Sequence, residues 1–232
     1  MFSRTSPARI LSDLEEAEDC AAADTQTVSG ELRVAMPLSF GLTHLTSAIS
    51  DFMRVNPAVN IDADLNDRAV DLINSRVDLA VRIGNLTDSS LMSRRPAPIH
   101  HVVAAAPAFW SEHGIRRTPD KLVGMPALSY SNLPTPDVWS WSNARGQSGQ
   151  VTLSPRYRSN NGDAFVHAAI RGFGVIRLPT FMMNKAIEAG ELTRTVLDKL
   201  GRCRALCPVS DTSFLPNRTR VFIDYLVTRF GE

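Results

Sequence analysis

GELRVAMPLSFGLTHLTSAISDFMRVNPAVNIDADLND, residues 30–67, is the stretch from which the fold can be read. Residues 32–36 form a short apolar run between Gly30 and Pro37, the pattern of a buried strand. Ser39 then reads as a helix N-cap. Leu42, Leu45, Ile49, Phe52 and Met53 recur at helical spacing until Asn56-Pro57 stops the helix. Val59, Ile61, Ala63 and Leu65 alternate with polar residues, as in a half-buried strand. Asn66 or Asp67 is expected to cap a short helix reaching Ser75, and residues 77–83 form a third strand ending at Gly84. The order β-α-β-α-β makes the sheet parallel with right-handed crossovers. The junctions at Pro37-Leu38-Ser39 and Leu65-Asn66-Asp67 both aim backbone N–H groups above the carboxyl ends of parallel strands. Open α/β sheets bind small molecules there.

Downstream the pattern changes. Residues 99–106 read as a strand and 107–113 as a short helix, and Thr118-Pro119 as a cap with proline at the first helical position. Residues 127–130 are a strand. Trp139 and Trp141 share one face of another, and residues 151–153 pair back onto it. Residues 157–159 lead into a second copy of the opening device, in which Asn160-Asn161-Gly162 caps a helix carrying Phe165, Val166, Ala169 and Ile170. Gly172 ends that helix. A strand at 175–178, a helix at 180–189 and a strand at 192–197 follow. Residues 204–209 return to the first half. The last helix gathers Val221, Phe222, Tyr225, Leu226 and Phe230 on one face. The chain crosses between halves near 95–99 and 200–204. This divides it into a helical and hinge segment at 1–29, one subdomain at 30–96 with 202–232, and a second at 97–201.

Composition excludes several classes. The chain has 232 residues, 44% hydrophobic and 21% charged, with 25 basic and 24 acidic side chains and a net charge of +1. Nothing in this balance gives the basic face of a nucleic-acid binder. The acidic N-terminus is not a secretory signal, and no window approaches the ~20 apolar residues of a membrane span. A cytoplasmic location is the expectation. Cys20, Cys203 and Cys207 form no metal or disulfide pattern; the last two would stand roughly 13 Å apart along one strand. His44, His100, His101, His113 and His167 lack metal-ligand spacing. No Gly-x-Ser-x-Gly elbow and no P-loop occurs. Gly172-Phe173-Gly174 lies between helix and strand, the reverse of the dinucleotide fingerprint, and reads as a helix stop. No catalytic constellation, metal or cofactor is expected.

Four segments in order, GELRVAMPLSFG, RVDLAVRIGNLTDSSL, AAIRGFGVIRLPTFM and RTRVFIDYL, resemble the effector-binding region of LysR-type transcriptional regulators over about residues 29–230. The resemblance implies a type 2 periplasmic-binding-protein fold, with two Rossmann-like subdomains joined by two crossover strands and an effector in the cleft between them. It implies a small carboxylate or aromatic effector and a homodimer or tetramer. In such a dimer the helix 43–55 and strand 60–64 of one copy would meet the helix 164–171 of another. It also implies that DNA is read only through an N-terminal winged helix-turn-helix. MFSRTS resembles the end of the wing and PARILSDLEEAED the later part of the linker helix, so that head is expected to be missing.

The candidate ligand-binding residues are Ser39, Phe40, Asn66, Asp67, Arg82, Ile83, Gly84, Tyr130, Ser131, Asn161, Gly162, Phe165, Pro179 and Thr180. Most have a second reading. Ser39, Asn161 and Gly162 serve equally as a helix cap. Asp67 as a cap compensates the helix dipole and would repel an anionic ligand. Arg82 either pairs a carboxylate in the cleft or lies solvated on the sheet rim. Tyr130 and Ser131, with Ser129, end a strand that faces the first half, where hydroxyls suit ligand orientation. The expectation is a sensor that binds a metabolite between two lobes. The alternative is a small-molecule-binding protein or enzyme on the same fold with no DNA-binding role.

Overall fold

The computed structural model describes residues 28–67, 77–84, 92–94, 98–116, 118–142, 148–195, 203–209 and 215–231. Strand β1 (Gly30–Met36) has Leu32, Val34, Ala35 and Met36 all buried, as a strand covered on both faces requires. It pairs in parallel with β2 (Val59–Leu65) over its whole length, and with β3 (Leu79–Ala80) on its other side. β2 is the edge among the described strands, and its outward positions are exposed. The expected parallel β-α-β start is therefore present.

The third strand differs from expectation. It breaks at Val81 into β3 and β4 (Arg82–Gly84), and β4 pairs antiparallel with the returning strand. The strand expected at 99–106 also divides, into β6 (Pro98–Ile99) and β7 (His101–Ala105), with β5 (Met92–Arg94) ahead of it. The returning strand β14 (Cys203–Val209) runs antiparallel to β3, β4, β5 and β6 and closes the sheet in the order β2-β1-β3-β14-β4. Its side chains, the two cysteines among them, lie outside the described residues, as do Cys20, the expected helical and hinge segment up to residue 27, the helix after Asp67, and most of both expected crossings.

Three helical pieces follow β1 without interruption: Leu38–Phe40, a π-helical turn at Gly41–Leu45, and α1 (Thr46–Val55). The Thr43 and Thr46 hydroxyls donate to the Ser39 and Gly41 carbonyls, the side-chain competition that accompanies such a widened turn. Helix α1 buries Ala48 and Phe52. The Phe52 ring packs at 4.8 Å from Phe222 and 5.3 Å from Tyr225 of the final helix α5 (Asn217–Phe230). One apolar core thus gathers residues from Leu32 to Ile99 together with Phe222, Ile223 and Leu226.

The second half has its own sheet, β12-β7-β13, with β7 paired antiparallel on both sides by β12 (Ile176–Pro179) and β13 (Thr193–Thr195). Alternation along β7 feeds two cores. Val103 and Ala105 join Phe109 and Trp110 of helix α2 (Pro107–His113). Ala104 joins Phe165 of α3 (Gly162–Ile170) and Met183 of α4 (Thr180–Glu188). Strand β8 (Pro126–Tyr130) runs parallel to β11 (Ser154–Ser159). The hairpin β9 (Val138–Ser142) and β10 (Ser148–Thr152) places Trp139 and Trp141 against one core, as their shared face implied. The expected helix at Thr118-Pro119 is only a 3-10 turn, Pro119–Leu122, and Thr118 makes no side-chain cap.

Candidate functional site

The two helix starts named from the sequence meet. Asn161 behaves as expected. Its Oδ1 accepts the amides of Asp163 (2.8 Å) and Ala164 (3.2 Å), the bonds of an N-cap. Ser39 does not cap its helix. The run begins at Leu38 with Pro37 in the cap position, and no local side chain serves its amides. Asp67, 29 residues downstream, supplies the acceptor: its Oδ1 takes the Leu38 amide at 3.0 Å. This releases the Ser39 hydroxyl, which is buried and donates to Asp163 Oδ2 at 2.7 Å across 124 residues of sequence. A local cap predicted from spacing is thus replaced by one from the neighbouring strand end.

A second polar tie runs from Asn132 Nδ2 to the Asp67 carbonyl oxygen at 3.2 Å. An aromatic seam lies beside these bonds. Phe181, at the start of α4, meets Phe40 edge-on at 5.5 Å and His44 at 5.3 Å, while Phe40 and His44 lie 5.0 Å apart. Burial holds the His44 imidazole below its usual pKa. Tyr130 packs edge-on against Phe165 at 5.0 Å. Its hydroxyl reaches Gly162 so closely that a Cβ there would overlap it, and would lie 2.5 Å from Met182 Cε.

Two carboxylates, Asp67 and Asp163, act on each other at the seam. Burial raises the Asp67 pKa, the Leu38 amide partly offsets this, and the charge of Asp163 raises it further. Burial also raises the Tyr130 phenol, with Asp67 and Asp163 both adding to the effect. A phenol in that position stays protonated and serves as a neutral donor.

The other candidates are distributed differently. Asn66 is tied by its amide to the Met36 carbonyl at 2.9 Å. Ser131 is exposed, and its amide donates to the Ser159 carbonyl. Thr180 opens α4 with its amide on the His100 carbonyl, and Pro179 pairs with His101. Phe165 is 1% exposed, in the second-half core, and Ile83 packs on the first-half core. Arg82 is half-buried; burial lowers its pKa and the charge of Asp64, on β2, opposes that shift. Gly84 pairs with Arg204 at the end of β4. The residues brought together at the seam are Ser39, Phe40, Asp67, Tyr130, Asn161 and Gly162. Sequence reading missed Asp163, Asn132, His44 and Phe181. Asp163 had a visible signal, an acid two residues past a cap, whereas the partners of the other three are set by packing alone. Beside Tyr130, the buried Ser129 hydroxyl has no hydrogen-bond partner among the described residues.

Two α/β halves with facing helix starts and a chain that returns to the first half define a two-lobed ligand-binding architecture. The LysR substrate binding domain family matches residues 25–231, and the chain belongs to that family. An uncharacterized HTH-type transcriptional regulator of Haemophilus influenzae is 34% identical over 183 residues, covering 79% of this chain and 63% of that protein. The HTH-type transcriptional regulator PtxR of Pseudomonas aeruginosa is 31% identical over 231 residues, covering 97% of this chain and 72% of its own length. The chain therefore spans about two thirds of the length of such relatives. In structure it resembles the regulatory domain of CrgA, a LysR-type regulator of Neisseria meningitidis, with a TM-score of 0.73 and 23% identity over 88% of this chain and all of that one. The fold is the type 2 periplasmic-binding-protein type. The family is regulatory, and these relatives are named as transcriptional regulators, not as enzymes. No described helix is long and apolar enough to cross a membrane.

Proposed function

We propose that this chain is the effector-sensing part of a LysR-type transcriptional regulator and that it binds a small metabolite between its lobes. The observation that carries this reading is the Ser39–Asp163 contact, which joins the helix starts of the two halves at one place. Residues 30–96 with 202–232 form one subdomain in this reading, and residues 97–201 the other. The ligand contacts are Ser39, Asp67, Tyr130, Asn161 and Gly162 at the centre, with Phe40, Asn66, Ser131, Pro179 and Thr180 around them. Arg82, Ile83, Gly84 and Phe165 complete the proposed ligand-binding set, Phe165 through its packing on Tyr130.

A ligand acts only through its different affinity for open and closed arrangements of the lobes. The seam supplies bonds that distinguish those arrangements, because opening breaks Ser39–Asp163 and Asn132–Asp67. The change would pass to a second copy through the helix containing residues 43–55 and strand 60–64, packed against 164–171 of the partner. Exposed Leu42 and Val55 and the β2 edge, unpaired among the described strands, support that surface. In the whole protein the change would reach a DNA-reading head.

Thermal unfolding of the chain against a metabolite panel tests the reading. A sensor gains melting temperature with its effector and leaves the compound unconsumed. Depletion of the stabilising compound, or no stabilisation across a broad panel, would refute it.

A further inference from the structure

Amides at helix starts are the ordinary holders of an anionic ligand, and here the chain has committed three of them. The Leu38 amide donates to Asp67, and the amides of Asp163 and Ala164 donate to Asn161. The Ser39 hydroxyl, the next donor along, is engaged by Asp163. Two carboxylates, one from each lobe, are therefore held on two consecutive residues, Leu38 and Ser39. The charge of Asp163 acts on Asp67, and the charges of both act on Tyr130. The described ion pairs, Arg33–Glu31, Arg54–Asp51, Arg158–Asp137 and Arg229–Asp51, involve neither carboxylate. An incoming carboxylate meets like charge and finds the Leu38, Asp163 and Ala164 amides and the Ser39 hydroxyl already bonded. An incoming ammonium meets acceptors.

We infer that Asp67 and Asp163 are the specificity-determining residues of the cleft: they bar carboxylate effectors and favour one that presents a protonated amine to the seam. This rests on the sensor reading above and narrows its ligand class. The Tyr130 ring, within reach of both charges, suits a small aromatic body behind that amine.

Benzylamine and benzoate, near in size and opposite in charge, are suitable probes. Their binding to the 232-residue chain is followed by thermal shift and amide chemical-shift perturbation at matched ionic strength. Benzylamine should bind, perturbing the amides of Leu38, Ser39 and Asp163, and benzoate should bind at least about tenfold more weakly. Asp67→Asn and Asp163→Asn, separately and together, should move the affinity ratio toward benzoate, by about tenfold for each charge removed. The single substitutions preserve shape, and the wild-type ratio needs no variant. Benzoate binding as tightly as benzylamine, an unchanged ratio in the variants, or binding of neither probe would overturn the inference. A panel in which metabolic carboxylates stabilise the wild-type chain would sink the charge assignment and leave the sensor reading standing. A panel in which nothing stabilises it would sink the sensor reading itself.

Discussion

Gly162 carries no side chain because the Tyr130 hydroxyl occupies the space a Cβ would need. Its backbone angle is not the constraint; the close approach is. Gly162→Ala should cost about 1–3 kcal/mol, the usual range for overpacking. Adding Tyr130→Phe, which removes the overlapping oxygen, should restore part of that loss, and urea unfolding of the three variants measures both effects. Asp67 supplies a second prediction at this scale. Its pKa is raised in the folded state, so the stability linked to its proton is full at acid pH and lost as pH rises through that raised value. Asp67→Asn keeps the acceptor for Leu38 without the buried charge. It should therefore melt higher than wild type at pH 7, with the difference vanishing below about pH 4, the ordinary carboxylate range. Melting curves taken across that interval would expose an error if the advantage persisted in acid.

Among the elements, helix α3 shows a local start signal that held, and the run beginning at Leu38 shows one that did not. Asn161 accepts two amides of its own helix, and Asn161→Ala should cost about 1 kcal/mol in urea or guanidinium unfolding. Pro37-Leu38-Ser39 looks like the same device, yet its cap comes from Asp67 on the next strand end. Sequence spacing reports neighbours along the chain and is silent about an acceptor 29 residues away. The turn after α3 illustrates a different requirement. Gly172 ends the helix at φ 77°, as the motif suggested. Gly174 sits at φ 158°, where a Cβ would lie 2.7 Å from the Pro126 carbonyl oxygen. That close approach lets the Val175 amide bond to Pro126, and the Leu128 amide bond to Val175.

At the scale of the whole molecule, the second lobe holds a group whose linkage lowers stability in acid, opposite in sign to Asp67. His101 is half-buried with its Nδ1 enclosed, and burial first, then the positive charge of Arg177, lowers its pKa to about 4. A depressed folded-state pKa gives stability that is complete above the free imidazole value of about 6.5 and lost as pH falls from there toward 4. His101→Gln should flatten the melting profile in this window, and an equal slope in both proteins would discount the role of His101. The seam yields the other global prediction. Phe181→Ala removes the ring packed on Phe40 and His44. Hydrogen exchange should then rise in both the Leu38 helix start and α4, while the Phe52–Phe222 core keeps its protection.

Periodicity and punctuation were enough to place most strands and helices. Burial of Leu32, Val34 and Met36 on one face, and the alternation of β7 between two cores, follow from side-chain chemistry repeated at fixed spacing. The sequence by itself determined the two-part α/β plan, the Asn161 cap, the Gly172 stop and the absence of a catalytic motif, because each depends on residues close along the chain. Tertiary structure alone decided that β3 and β4 separate at Val81, that Asp67 caps a distant helix, and that Ser39 faces Asp163. Those outcomes depend on which groups meet after collapse, when burial forces every donor to find an acceptor wherever the fold has put one.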